Sequence, residues 1–428
     1  MLASAKSISE GGTALVFIAN IIPSVTIKLS APYWFDKVSY DTRIRAGAIL
    51  MASSFLTVGF FQGSDADYPL YFQLLGVSLI SAQVGMGEAS LLALAGASDA
   101  SRPQPECVSA FASGTGLAGF LGYMFVYAFN SFMDVGMRAT MLSAVSLAVA
   151  YFATYRQYLW GRKKPRGQLT TSIRKAISSM DSDELIHAPY QQEPAPMVVL
   201  EEDGEHPPLR HHSPAAAGSF EDEYNLPVPC VGAAVVTKGQ DMSTHQRLQL
   251  TLSLWPYIIP LFVVYAAEYV LQAGTWTAIG FPIDNVQARN DFYFAANWTY
   301  YAGVFVSRSS GTLFSAPMWF LWLLPVLQCI NVAFFWIVAA HHVMYNWSLL
   351  LGCFATGLLG GAVYVHGYTR ICKDLPKEHT EFALSATTVG EVLGILAADV
   401  CCLYVQSCLY TINGLPGAAV ACPFVVDT

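Results

Sequence analysis

The sequence predicts an all-α polytopic membrane protein with about ten transmembrane helices in two bundles, and three observations support this prediction. Of the 428 residues, 54% are hydrophobic and only 12% are charged, about half the charged share of a soluble protein. The apolar residues fall in runs of about 20, the length that an α-helix needs to cross a bilayer. A long polar stretch divides these runs into two sets of five.

The spanning segments are defined by long apolar runs with few charges. Five precede the polar stretch, at 12–31, 46–62, 69–97, 107–129 and 137–159, and five follow it, at 254–273, 292–307, 317–338, 344–367 and 380–407. They predict an N-terminal bundle at 1–159 and a C-terminal bundle at 251–410, followed by a tail at 411–428. Residues 160–250, rich in Pro, Ser, His and acidic residues, predict a disordered linker, because they have too little apolar surface to fold.

The distribution of basic residues predicts the orientation of the chain. Cytosolic loops carry an excess of Lys and Arg, and six such residues crowd the start of the linker: Arg162, Lys163, Lys164, Arg166, Arg174 and Lys175. We therefore predict that the linker is cytosolic and, because five helices precede it, that Met1 is lumenal.

A faint internal repeat supports two related bundles. Adding 271 to the residue number maps Gly96 onto Gly367 and Pro105 onto Pro376, although the surrounding residues agree poorly. Such a repeat is what two related helix bundles would leave in the sequence.

Three carboxyl groups inside predicted helices are candidates for substrate or proton handling: Glu88, Glu268 and Glu391. A charge at the centre of the bilayer costs about 2.5–3.5 kcal/mol on insertion scales, so such residues usually face a cavity or a partner. Glu268 shares one predicted helix face with Tyr265 and Gln272, a stripe expected either to border a wet cavity or to form a packed contact between helices.

Two basic residues lie near the predicted cytosolic ends of helices. Lys28 and Arg308 are explained either by snorkelling, in which the side chain reaches the interface, or by contact with an anionic substrate.

Small residues mark two helix faces. Ser113-Gly114-Thr115-Gly116 and the stretch from Gly357 to Gly361 let backbones approach closely. Two interpretations stay open: tight packing alone, or a contact at which the bundles of a transporter move against each other.

Several functional classes lack any signal. The sequence contains no GxSxG, Walker or HExxH motif, so we predict no enzyme, cofactor or metal site. A net charge of −8, with no basic residues clustered enough to follow a phosphate backbone, argues against nucleic acid as a partner. The nine cysteines show no CxxC pair and are interpreted mainly as small packing residues.

Three short motifs predict modification or sorting. Asn297-Trp298-Thr299 and Asn346-Trp347-Ser348 are N-glycosylation sequons on the predicted lumenal side, and Asn297 is the preferred candidate. Within the linker, Asp181-Ser182-Asp183-Glu184-Leu185-Ile186 matches the acidic dileucine pattern that sorting adaptors read on cytosolic segments. Asp181, Leu185 and Ile186 are the candidate recognition residues.

Several blocks of sequence, in order, resemble the battenin family, also called ceroid-lipofuscinosis neuronal protein 3. The blocks are IIPSVTIKL at 21–29, SGTG at 113–116, VVYAAEY at 263–269, AGVFVSRSS at 302–310, LLGGAVYV at 358–365, EHTEFA at 378–383 and GEVLG at 390–394. Glu88, Glu268, Arg308 and Glu391 match positions in the blocks that the family shares, although battenins can carry Asp at position 391.

The resemblance implies a major-facilitator-like fold in the lysosomal or vacuolar membrane. It also implies export of small polar metabolites, with glycerophosphodiesters as the favoured class and protons as a possible coupling ion. The alternative is a non-transporting membrane organiser that affects trafficking, lumenal pH or basic amino-acid balance. Family members begin with one more helix before the one that contains Pro23, and the sequence predicts that this helix is missing here.

Overall fold

The computed structural model describes residues 13–62, 69–97, 104–163, 242–418 and 420–423. The chain divides into two units, residues 1–157 with 237–428 and residues 158–236. Every interaction reported below lies within the first unit. The sorting motif at Asp181, Leu185 and Ile186 lies outside the described residues.

The described residues contain twelve α-helices and no β-strand. The first six are α1 (Thr13–Trp34), α2 (Tyr40–Phe61), α3 (Pro69–Gly96), α4 (Gln104–Tyr127), α5 (Met137–Ser143) and α6 (Val145–Lys163). The others are α7 (Thr244–Ser253), α8 (Trp255–Tyr269), α9 (Val286–Ser309), α10 (Met318–His341), α11 (Leu349–Asp374) and α12 (Lys377–Ile412).

The predicted all-α membrane fold is confirmed. Among the described residues, eight helical segments are long and apolar enough to span a bilayer, and α1 contributes a shorter apolar stretch, Val16–Ala31. The remaining predicted span, 292–307, lies within α9, whose many polar side chains lower its hydropathy. Every predicted span therefore corresponds to helical chain.

Capping residues explain several helix starts. Ser39 accepts a hydrogen bond from the backbone N–H of Thr42 at the start of α2, and Ser243 forms a capping box with Gln246 at α7. Both hydroxyls satisfy N–H groups that lack a partner within the helix. Helix α7 begins at Thr244, inside the range predicted as linker, so helical structure resumes earlier than predicted.

A wide turn interrupts the regular spacing at the end of α8. Residues Val270–Thr275 form a π-helical turn, in which hydrogen bonds skip one more residue than in an α-helix. Gln272 belongs to this turn, so the four-residue spacing that was predicted to align it with Glu268 does not hold.

The two bundles meet along two seams. In the first, α1 and α3 pack against α12; we call it the charged seam because Lys28, Glu88 and Glu391 lie there. In the second, α4 packs against α9 and α11, and we call it the glycine seam. A Cβ atom placed on Gly116 of α4 would lie 3.0 Å from the Cα of Phe305 on α9.

The second glycine-rich face lies elsewhere. A Cβ atom on Gly357 would overlap the backbone oxygen of Tyr300, and one on Gly361 would overlap the Ser307 hydroxyl. Both contacts join α11 to α9 inside the C-terminal bundle. The glycines at 357–361 therefore pack that bundle, whereas Gly116 lies between the bundles.

Two cysteines have a role that the sequence interpretation missed. Cys408, near the end of α12, forms a disulfide with Cys422. The other described cysteines are free, as the packing interpretation expected. Disulfides persist in oxidising compartments, so this bond agrees with the predicted lumenal position of the C-terminal end of α12.

Candidate functional site

A cavity of about 350 Å³ lies between the two bundles. Helices α1, α3 and α4 line it from one side, and α8, α9 and α12 line it from the other. Its charged lining residues are Lys28, Glu88, Arg308 and Glu391, and its aromatic ones are Tyr123, Tyr265, Tyr269 and Tyr301. This volume suits a small ligand, since small-molecule sites begin at about 300 Å³.

The charged residues cluster at one end of the cavity. On α1, the lining runs from Asn20 to Lys28, and on α3 from Ile80 to Glu88. Each run covers about two helical turns, or roughly 12 Å. Small residues and tyrosines line the cavity beyond the charged end, so a ligand would meet an ionic group on one side and aromatic rings on the other.

Lys28 connects both bundles through ion pairs. Its side chain is 1% exposed, and its Nζ atom lies 2.8 Å from Glu88 Oε2 on α3. The same ammonium donates a hydrogen bond to Glu391 Oε1 on α12. The snorkelling interpretation of Lys28 is therefore wrong, because the ammonium points into the protein and two carboxylates neutralise it.

The two carboxylates of this cluster have different surroundings. Both oxygens of Glu88 are engaged, since the Tyr364 hydroxyl of α11 donates a 2.7 Å hydrogen bond to Oε1 and Lys28 contacts Oε2. Glu391 accepts the hydrogen bond from Lys28 on Oε1 and lies against the carboxyl of Glu88, and its buried Oε2 accepts no hydrogen bond among the described residues. The charged seam therefore contains one saturated and one half-saturated carboxylate.

Arg308 is held at the cavity by uncharged groups. Its guanidinium donates hydrogen bonds to Thr115 Oγ1 at 2.6 Å and to the Tyr265 hydroxyl at 2.9 Å, and lies 3.8 Å above the ring of Tyr364. Among the described residues no carboxylate is within salt-bridge distance, and Nε has no partner. Snorkelling does not describe Arg308 either, because these contacts turn it inward.

Glu268 does not border the cavity, which corrects the expectation of a wet stripe on α8. Its side chain is buried at 1% exposure, faces Tyr300, and points Oε2 at Gly360 of α11. Gln272 is also buried and absent from the cavity lining. Of the predicted stripe, only Tyr265 reaches the cavity. The position of Glu268 matches the alternative of a packed contact between helices.

The structure reverses the order of the two glycosylation candidates. Asn297 lies within α9, is 1% exposed and donates a 2.9 Å hydrogen bond to the Tyr293 backbone oxygen. A glycan there would displace packed side chains, so the preference for Asn297 is wrong. Asn346 lies in the exposed connection between α10 and α11.

Sequence reasoning missed two residues that shape the site. Thr115 and Tyr364 hold Arg308, and Tyr364 also contacts Glu88. Both lie in blocks quoted for the family resemblance, which was the available signal. Asp399 of α12 is buried, and neither carboxyl oxygen has a partner among the described residues. No group of metal-ligating residues occurs in the described part of the chain.

Comparisons with known proteins agree with the sequence resemblance. The model of the family described as CLN3 protein matches residues 1–412. "Protein btn1" of Aspergillus fumigatus is 29% identical over 392 residues, covering 90% of this chain and 78% of the relative. Battenin of the dog, Canis lupus familiaris, is 27% identical over 389 residues, covering 90% and 74%. "Protein BTN1" of Saccharomyces cerevisiae is 26% identical, covering 90% and 84%.

A solved transporter shares the fold. The crystal structure of the Escherichia coli fucose:proton symporter FucP matches with a TM-score of 0.51, covering 98% of this chain and 90% of the symporter. At 11% sequence identity the likeness concerns the fold alone, and it confirms the prediction of a major-facilitator-like arrangement.

Proposed function

The chain belongs to the battenin family, that of the CLN3 protein, and on this premise we propose that it exports a small polar metabolite from the lysosome or vacuole. The proposed substrate is a phosphodiester, with glycerophosphodiesters as the favoured class. Transport would proceed by alternating access of the two bundles around the cavity. The fold resembles that of a membrane transporter, which supports this proposal over an enzymatic role.

The unequal charge balance of the two cations that line the cavity, Lys28 and Arg308, carries this proposal. Two carboxylates compensate Lys28, so its ammonium has little attraction left for an anion. Arg308 holds only neutral groups and keeps unused N–H donors at the cavity, since a guanidinium has five. Arginine binds phosphate oxygens with directed, charge-assisted hydrogen bonds. Arg308 is therefore the residue that we expect to anchor the phosphodiester.

Two observations support the proposed orientation. The basic residues at the start of the linker favour a cytosolic linker. The disulfide between Cys408 and Cys422 favours an oxidising, lumenal environment for the opposite end of α12. Substrate would then leave the lumen through a cavity whose charged end is nearer the cytosolic side.

Uptake of radiolabelled glycerophosphocholine into proteoliposomes tests the proposal. Removing the charge with Arg308→Gln should lower uptake about tenfold to a hundredfold, since a hydrogen bond to a charged group contributes about 1.5–3 kcal/mol. Arg308→Lys should retain part of the uptake. Arg138→Gln, at an exposed arginine of α5, is the matched control and should leave uptake unchanged.

The organiser alternative predicts a different pattern. If the full chain moves no phosphodiester, while deletion of residues 164–241 alters trafficking or lumenal pH in cells, the transporter proposal is wrong. Equal uptake by the wild type and Arg308→Gln would leave transport intact and reject Arg308 as the anchor.

A further inference from the structure

The charged seam contains three ionisable groups whose charges do not cancel. Lys28 carries one positive charge, whereas Glu88 and Glu391 together carry two negative charges when both are ionised. The fully ionised cluster therefore has a single net negative charge, and one bound proton makes it neutral. Burial of a net charge is costly, so a cluster of this composition is suited to exchanging one proton.

Hydrogen bonding distinguishes the two carboxylates as proton acceptors. Glu88 accepts a hydrogen bond from Lys28 on one oxygen and from Tyr364 on the other. Glu391 lines the cavity. Within this cluster, the buried Oε2 of Glu391 is the carboxyl oxygen that accepts no hydrogen bond among the described residues.

We propose that Glu391 is the proton-binding site of this protein, and that its protonation weakens the Lys28–Glu391 ion pair that holds the two bundles together. The inference rests on the proposed transport function and assigns the proton-coupling role within the same cavity. A proton adds to Oε2, the carboxylate becomes a neutral acid, and Lys28 stays paired with Glu88. The ionic link between α1 and α12 is then reduced to a hydrogen bond.

Several titratable or charged side chains surround the cluster from the neighbouring helices, and among the described residues Lys28 is the cation that pairs directly with its carboxylates. From α1 and α3 these are Lys28 and Glu88; from α8, Tyr265 and Glu268; and from α11, Tyr364 and Tyr368. Arg308 of α9 acts on Glu88 from the same cavity without an ion pair, so Lys28 is the cation that the two carboxylates share. Substituting Glu391 removes the excess negative charge while leaving the Lys28–Glu88 pair in place.

The first experiment separates transport from coupling. In proteoliposomes containing the full chain, an inward gradient of one pH unit should drive about tenfold accumulation of glycerophosphocholine if one proton moves with each molecule. Glu391→Gln should lower this ratio to about one while retaining exchange of labelled for unlabelled glycerophosphocholine. Asp399→Asn is the matched control: this carboxyl is equally buried on the same helix but lies outside the cavity lining, and the variant should keep both activities.

The second experiment needs no substrate. Infrared difference spectra of the purified protein, recorded between acidic and alkaline pH, should show a protonated-carboxyl band, separate from those of the buried carboxyls Glu268 and Asp399, that titrates in the wild type and in Asp399→Asn and is lost in Glu391→Gln. A band that persists in Glu391→Gln, or that disappears in Asp399→Asn instead, overturns the proposal. Gradient-driven accumulation by Glu391→Gln equal to that of the wild type does so as well.

Failure of the proposed function gives a distinct result. If the wild type moves no glycerophosphocholine but shows the Glu391-dependent band, the proton site is supported and the proposed substrate is wrong. Exchange without any effect of pH in the wild type, together with no titrating band, retains the transporter and rejects the proton site.

Discussion

The two seams between the bundles are closed by different physical means. At the charged seam, Lys28 of α1 pairs with Glu391 of α12. At the glycine seam, Gly116 of α4 lets the backbone of Phe305 on α9 approach closely, and the hydroxyls of Ser113 and Ser309 lie 2.7 Å apart. Ionic contacts respond to protonation, whereas close backbone contacts respond to side-chain volume.

This difference indicates a division of roles. A contact that depends on charge can be weakened and restored by a proton, so the charged seam is suited to regulating how the bundles separate. The glycine seam contains no ionic pair among the described residues of its contacts and should be insensitive to pH. Tyr364 of α11 touches both regions, because its hydroxyl binds Glu88 and its ring lies under Arg308.

The largest effect is expected from removing the shared cation of the charged seam. Lys28→Met leaves Glu88 and Glu391 buried without their ion-pair partner, and breaking a buried pair in this way costs about 3–5 kcal/mol of stability. Thermal unfolding of the purified protein in detergent measures the loss. Lys37→Met, at an exposed lysine after α1, should leave the unfolding temperature unchanged. Equal unfolding temperatures for Lys28→Met and the wild type would show that the ion pairs of Lys28 contribute no stability.

A smaller loss is expected when only the hydroxyl of Tyr364 is removed. Tyr364→Phe deletes the hydrogen bond to Glu88 but keeps the ring under Arg308. Hydrogen bonds to charged groups contribute about 1.5–3 kcal/mol, and the same unfolding assay should detect this change. Tyr404→Phe, at an exposed tyrosine of α12, is the control. If Tyr364→Phe lowers uptake as much as Arg308→Gln does, the hydroxyl of Tyr364 is needed for substrate binding, and its role is not separate from that of the ring.

The glycine seam should respond to a single added methyl group. In Gly116→Ala, the new Cβ lies 3.0 Å from a backbone atom of Phe305, and overpacking of this kind costs about 1–3 kcal/mol. Gly114→Ala on the same helix meets no atom within 4 Å among the described residues and should be neutral or slightly stabilising. The unfolding temperature and the uptake of both variants measure the effect. If Gly116→Ala and Gly114→Ala behave alike, the glycine seam tolerates an added methyl group.

The smallest effect is expected at Glu268, which belongs to neither seam. Glu268→Gln conserves volume inside the C-terminal bundle, so its stability cost should stay below about 1.5 kcal/mol. The pH dependence of uptake should stay as in the wild type. Should the variant lose gradient-driven accumulation but keep exchange, Glu268 and not Glu391 would be the coupling carboxyl.

Sequence patterns predicted helices more reliably than side-chain surroundings. The segments 107–129 and 317–338 were read from local hydropathy, and α4 and α10 follow them closely. Glu268 and Gln272 were placed on one helix face from their spacing, bordering either a wet cavity or a neighbouring helix, but the π-helical turn at Val270–Thr275 changes the register. This turn packs against α12, and the four-residue spacing in the sequence does not predict it.

Composition and local order along the chain were enough to predict the membrane class, the helical segments and the family resemblance. Which charges are compensated follows from the packing of the helices. Lys28 and Glu391 are 363 residues apart, and both looked like isolated charges in apolar helices. Folding brings them together beside Glu88 and leaves Arg308 with neutral partners. This pairing depends on the packing of α1 against α12, and neither hydropathy nor residue spacing contains that information.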